Sequence, residues 1–450
     1  MSEKTAAAPQ GAAQTGEPLP LLGRKGAPAP PVRIVHLGLG AFHRSHQAWF
    51  TAHASDAAEW GIASFTGRRP DAAVTLAAQD GLYTLVERGG DGDRFEVVGS
   101  IAEAVDGADV ARLNDLLSSP STAIVTLTVT EAVYEKDDAD SPLGRLVRGL
   151  AARRDAGAGP IAVVSCDNVA GNGEVAEAAV CRIAEGIDVG LAGWVREHVS
   201  FVGTSVDRIT PRTTPEDVAE VAAQCGYRDE SPVVAEPFAN WILSGEFPAG
   251  RPRWEDAGAQ FVDDIEPFEN RKLWLLNGAH SLLAYAGQLR GHATVAEALA
   301  DPECRQAMEA FWDEAERHLT LPELGVPAYR QALLDRFANP RIAHHLAQIA
   351  ADGTTKLRMR AVPVLAAEQA DGRSGVAAAR MIAAWMDFVA ASASSGADFQ
   401  DPQKEQILAA VGLEGRDRTA ALLGLVAPEF VADSPVVDRI DALRGSLTRS

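Results

Sequence analysis

The chain has 450 residues, with 41 Lys and Arg against 62 Asp and Glu for a formal charge of -21, and it is 46% hydrophobic and 23% charged. That length allows two or three domains of roughly 150 residues and buries enough surface to fold without disulfides or metals. The composition excludes a disordered or fibrous chain, and the acidic balance excludes a nonspecific nucleic-acid binder.

In chain order, residues 1–30 form an Ala-, Gly- and Pro-rich arm with little periodicity, expected to be flexible or loosely draped. VRIVHLGLG, residues 32–40, is a short apolar run ending at glycines, the pattern of a buried parallel strand and its turn. A helix is expected from Ala41 to Trp60, a second strand over 61–67, and another helix start at Pro70. Residues 83–88 and 95–98 flank GGDGD as a hairpin. Residues 101–105, 123–129 and 160–165 continue the strands, with a helix over 143–154 between the last two. Such alternation predicts a mostly parallel α/β sheet covered on both faces. From Lys272 onward the pattern turns helical, including stretches around 341–350 and 380–390, with a surface loop over 391–396. The expected architecture is therefore an α/β domain with a mostly parallel sheet over 31–269, followed by a mostly helical domain over 270–450.

The four cysteines, Cys166, Cys181, Cys225 and Cys304, match no zinc or thioredoxin-like spacing and fit reduced thiols in a cytoplasmic protein. The polar N-terminus lacks a signal-peptide pattern. No 18-residue uncharged apolar window suggests a membrane span. A two-domain chain of this size can bury its own core, so a monomer is expected.

Gly38 and Gly40 sit in the turn after the first strand, with Ala41 and Phe42 opening the next helix. This is the place for a tight turn and a close approach to a pyrophosphate, although a plain tight turn fits the same residues. His43 stands where the dinucleotide fingerprint has its third glycine. The second strand exits into Thr66-Gly67-Arg68-Arg69 with no acid to take a ribose 2'-hydroxyl. Arg68 and Arg69 could meet a 2'-phosphate or be solvated, leaving NAD and NADP both open.

The segment from Glu269 to His280 is the richest in chemistry. On an α-helix, Lys272, Asn277 and His280 fall within an arc of about 140°, so all three can face one cleft. Burial would lower the lysine pKa and make it a base; the plainer reading is a surface cation paired with Glu269 or Glu266. Asn277 can donate to an oxygen gaining charge, or make an ordinary helix contact. His280 can serve the same oxygen or be a core histidine. Asn168, in Ser165-Cys166-Asp167-Asn168, follows a predicted strand at its C-terminal end, where α/β ligand sites lie; an Asx turn is the alternative. No metal-ligand spacing is present.

Together these residues resemble the mannitol dehydrogenase family of long-chain polyol-specific dehydrogenases and reductases. The matching stretches are GLGAFHRSHQAWF from Gly38, QDGLYTLVERG from Gln79, TLTVTEAVY from Thr126, SCDNVAGNG from Ser165, VDRITPRT from Val206, KLWLLNGAH from Lys272, RFANPRI from Arg336 and DGTTK from Asp352. The resemblance implies that residues 31–269 are a Rossmann-like dinucleotide-binding domain and 270–450 a mostly α-helical substrate-binding domain. It further implies zinc-independent hydride transfer between a nicotinamide, NAD with NADP possible, and C2 of an open-chain sugar. It also implies Lys272 as base, Asn168 and Asn277 as the pair polarising the reacting oxygen, His280 orienting substrate and Glu269 gating proton exit. Val206 and Asp207 would line the cofactor and substrate region, and Lys356 would touch substrate. One departure is Gln348, where mannitol 2-dehydrogenases resemble a pattern with arginine; the Gln348-Ile349-Ala350 form looks more like hexuronate reductases. Mannitol and fructose are the leading pair, and fructuronate with mannonate is the alternative. The latter needs a further cation, for which Arg341, Arg358 and Arg360 are near in sequence. A non-catalytic nucleotide sensor would not need Lys272 with both asparagines.

Overall fold

The computed structural model describes residues 18–136, 138–341 and 344–449. The first 17 residues of the expected arm, and Ile342 of the RFANPRI stretch, lie outside them. Eleven strands form two sheets: β1 Val32–Leu37, β2 Gly61–Phe65, β3 Tyr83–Gly89, β4 Gly92–Val98, β5 Ile101–Val105, β6 Ile124–Leu127, β7 Ile161–Ser165, β8 Val199–Asp207, β9 Val233–Ala235, β10 Asn240–Ser244 and β11 Gln260–Phe261. The large sheet runs β11-β10-β8-β7-β6-β1-β2-β5, and the small one β4-β3-β9. All pairings in the large sheet are parallel except β8 with β10. Val35 and Leu37 of β1 point into one apolar layer and Ile34 into the other. Both faces are covered, so the strands read as unbroken apolar runs rather than alternating ones. Strand order reverses between β1 and β6, which opens a crevice at their C-terminal ends.

The C-terminal domain is helical around one core, with helix Val376–Ser395 packed against helices Ala279–Leu289, Pro302–Glu316 and Ser434–Leu443. Helix Val376–Ser395 is long and apolar enough to cross a membrane, yet 67% of its apolar window is buried inside the protein. It is a core helix, and it runs through the stretch expected as a surface loop over 391–396, ending at a left-handed Gly396.

Other local expectations change too. The helix expected from Ala41 to Trp60 is three pieces, Ala41–Ser45, Gln47–His53 and the short turn Ala57–Glu59. The break falls at His46, whose φ of -118° and ψ of -89° are not helical. The helix expected around 341–350 is a single turn, Leu346–Ile349. Residues 18–31 are tied down rather than loosely draped: Leu22 donates its amide to Arg228, and the Arg24 guanidinium donates to the carbonyls of Asp80, Gly99 and Ile101. Helices Asn172–Ile187, Val189–His198 and Pro215–Cys225, with strands β8 to β11, complete the first domain.

Candidate active site

Two clefts lie side by side beyond the strand ends, one lined by Thr130 and the other by its neighbour Glu131. The first, of about 850 Å³, lies past the ends of β1, β2 and β6 and is lined by Gly38, Gly67, Arg68, Thr128, Thr130 and Arg145 among others. Gly38 has φ +118°, and a Cβ there would lie 2.1 Å from the Thr128 carbonyl oxygen, so no other residue fits that turn. Gly40, by contrast, is extended and its Cβ would meet only an ordinary contact. Ala41 and Phe42 pack into the core under the turn and are not among the lining residues. His43 fills the third-glycine position by stacking on His36, ring centroids 3.4 Å apart, with Nε2 hydrogen-bonded to Ser64. Burial drives both imidazoles far toward the neutral form, so the pair works as a polar plug, not a charge. At the β2 exit Arg145 donates to the carbonyls of Gly107 and Gly67, and Arg69 turns to Asp71. Arg68 is left facing the cleft.

The second cleft, of about 590 Å³, lies between the domains. It collects Asn168, Val206, Glu269, Lys272, Asn277 and Lys356 from the residues expected at the site, and adds Glu131, Thr204, Asp352 and Arg360. The Lys272 Nζ donates to Asn168 Oδ1 and to the Val206 carbonyl, both at 2.8 Å. Burial pushes its pKa below the usual lysine value, opposed by the nearby Asp207 carboxylate. Burial likewise raises Glu269, with partial relief from the Gly171 amide. Lys356 donates to the Ile349 carbonyl at 3.0 Å and is also lowered by burial.

The lysine and asparagine share a face for a reason the α-helical projection misses. Lys272–Gly278 is π-helical, between α-helical Glu266–Arg271 and Ala279–Leu289. An i→i+5 winding turns less per residue than an α-helix and so brings Asn277 closer to the face of Lys272, and such turns recur at functional sites. His280, one turn further, is buried between Phe337 and His344, with its Nε2 unpartnered in the protein. It is not among the cleft-lining residues.

Val206 lines the second cleft, where its carbonyl accepts from Lys272. Two expectations are corrected. Gln348 is exposed and outside both clefts. Asp207 does not line the cleft: both its oxygens are held by Arg336, which also grips both oxygens of Glu236. Burial opposes the Asp207 charge, but the Arg336 guanidinium outweighs it and holds the carboxyl below the usual range.

Sequence reasoning missed this buried cluster, although Arg336 opens one of the matching stretches. It also missed the role of Asp167. That carboxylate accepts from the amides of Val129 and Thr130 and from the Tyr134 hydroxyl. It thereby holds Thr130 at φ +79°, a strained residue in the wall of the first cleft, while its neighbour Asn168 reaches Lys272. Of the three arginines noted nearby, Arg360 lines the cleft, Arg358 caps the Leu425 carbonyl, and Arg341 pairs with Asp93. Among the described residues, no group of three His, Cys, Asp or Glu side chains could hold a metal ion.

Comparison with known proteins agrees with this construction. Residues 32–256 match the mannitol dehydrogenase Rossmann domain, and 264–441 the mannitol dehydrogenase C-terminal domain. The chain is 38% identical over 428 residues to D-mannonate oxidoreductase of Escherichia coli, covering 87% of this chain and 88% of that one. It is 35% identical over 395 residues to mannitol 2-dehydrogenase of Cereibacter sphaeroides, covering 81% and 82%. The solved ternary complex of Pseudomonas fluorescens mannitol 2-dehydrogenase with NAD and D-mannitol matches with a TM-score of 0.75 and 33% identity, over 96% of this chain and 94% of that one. With both of its domains matched, over 32–256 and 264–441, the chain belongs to the mannitol dehydrogenase family.

Proposed function

We propose that this protein is an NAD-dependent oxidoreductase that moves hydride between the nicotinamide and C2 of an open-chain sugar, with mannitol and fructose as the leading pair. The observation that carries the reading is the Lys272 amine. A neutral amine has two N–H donors and one lone pair. Both donors are committed, to Asn168 and Val206, which leaves the lone pair for the substrate hydroxyl. NAD, when bound in the glycine-turn cleft, supplies the redox chemistry. Lys272 takes the hydroxyl proton in oxidation and returns it in reduction. The Asn168 and Asn277 amides stabilise the oxygen as it gains charge, each contributing on the order of 10²–10³ in rate. Glu269, at the cleft wall with its pKa raised by burial, passes the proton outward.

A second substrate reading rests on two cations. Lys356 and Arg360 line the same cleft, and the Arg360 Nε is buried without a partner, which suits a substrate carboxylate such as that of fructuronate. Steady-state reduction of fructose and of fructuronate with NADH decides between them. The polyol reading expects comparable kcat/KM values. A fructuronate value more than about a hundredfold higher, roughly 2.7 kcal/mol of transition-state preference, selects the hexuronate, and Lys356→Ala should then remove most of that advantage.

The β2 exit carries Arg68 and no acid to repel a 2'-phosphate. Preference for NAD over NADP should therefore stay below about a thousandfold in kcat/KM, roughly 4 kcal/mol. A larger preference would mean that another group reads the ribose.

A further inference from the structure

We infer that Trp312 is a positioning residue for catalysis: its indole holds the π-helical winding of Lys272–Gly278 that brings Lys272 and Asn277 to one face. The inference rests on the oxidoreductase reading above.

The run from Glu266 to Leu289 is continuous helix, α then π then α. Carbonyls inside such a run are ordinarily taken by the helix's own amides, and only the last four at its C-terminus lack them. Here two interior carbonyls receive side-chain donors as well. Trp312 Nε1 donates to the Leu275 carbonyl at 2.8 Å in a fully buried setting. Arg360 Nη1 donates to the Asn277 carbonyl at 3.2 Å, and to Ser281 Oγ at 2.8 Å. Both lie where the hydrogen-bond ladder changes register, and side-chain insertion into that ladder is a recognised cause of altered winding.

Packing from the same helix reinforces the register. Phe311 precedes Trp312, and its ring lies so close to Gly278 that a Cβ there would come within 2.5 Å of the ring edge. Trp312 itself is fully buried, with the Arg330 guanidinium over its ring. The helix Pro302–Glu316 thus presents a donor and a flat ring side by side to the π turn. Trp312 is absent from the lining of both clefts, so it acts only through the winding. Without its donor, the buried Leu275 carbonyl loses a hydrogen bond that the indole supplies. Rewinding to i→i+4 would turn Asn277 away from Lys272.

The test is a double-mutant cycle of Trp312→Phe with Asn277→Ala, read in kcat, NAD dissociation constant and pH profile. Trp312→Phe should lower kcat at least tenfold and leave NAD affinity within about twofold. In its background, Asn277→Ala should cost less than about tenfold, against the 10²–10³ expected alone. Multiplicative costs, the signature of a merely structural tryptophan, overturn the inference. If Trp312→Phe does not fold, benzothienylalanine at position 312 keeps the volume and removes only the N–H, and the same cycle applies. A crystal structure of either variant gives an independent readout. Retention of the i→i+5 winding overturns the inference even if the wild type proves inactive on every sugar, an outcome that would sink the functional reading separately.

Discussion

Replacing Lys272 with alanine should lower turnover by about 10²–10⁴-fold, the range for a positioned general base, while NAD still binds in its separate cleft. Lys272→Arg should not restore activity, because a guanidinium stays protonated throughout the accessible range. The pH dependence supplies the sign. Oxidation needs the neutral amine, so its kcat/KM should rise with pH through the lysine pKa. Burial lowers that pKa, so the rise should come below the usual lysine value. Reduction needs the protonated amine and should fall over the same interval. Both limbs should vanish in Lys272→Ala. A loss of less than about tenfold would assign the proton transfer to another group.

Removal of the Arg336 guanidinium should have the largest effect on stability. Arg336 comes from the helical domain, while Asp207 and Glu236 come from the sheet domain, and the side chains of all three are at most 8% exposed. Arg336→Ala removes the guanidinium that pairs both buried carboxylates. Breaking a buried pair in this way costs about 3–5 kcal/mol, measurable by denaturant unfolding. A loss under about 1 kcal/mol would show that water reaches the cluster. The same substitution carries a kinetic signature. Arg336 lowers the Lys272 pKa and Asp207 raises it, so without the guanidinium the alkaline rise in oxidation should move to higher pH. A destabilised domain contact alone would not move it.

The strands were legible because their signal is local. A parallel strand covered on both faces must be apolar at nearly every position, and β1, β2, β5, β6 and β7 fall within a few residues of where the apolar runs placed them. The short edge strands β9 and β11 carry too few residues for a pattern to emerge. The break at His46 follows from tertiary contacts: its Nε2 bonds to the Asn240 carbonyl and its ring packs on Trp241, none of which periodicity encodes. The surface loop expected over 391–396 was inferred from Ser and Gly content, yet burial of Val389 and Ser392 against the core carries the helix through to Ser395.

By itself the sequence determined the order of the two domains, the glycine turn at Gly38 and the identity of Asn168, Lys272 and Asn277, because backbone sterics and side-chain chemistry belong to single residues. Only the tertiary structure decided how these groups work together. The π winding depends on a carbonyl at Leu275 meeting an indole 37 residues away. The direction of Arg360, Arg358 and Arg341 depends on which carbonyl or carboxylate lies within reach. Gln348 falls outside the cleft and Asp207 beneath it because Arg336 draws the acid into a buried cluster. Proximity in space sets hydrogen bonding, burial and pKa, and the contacts that create it join residues far apart along the chain.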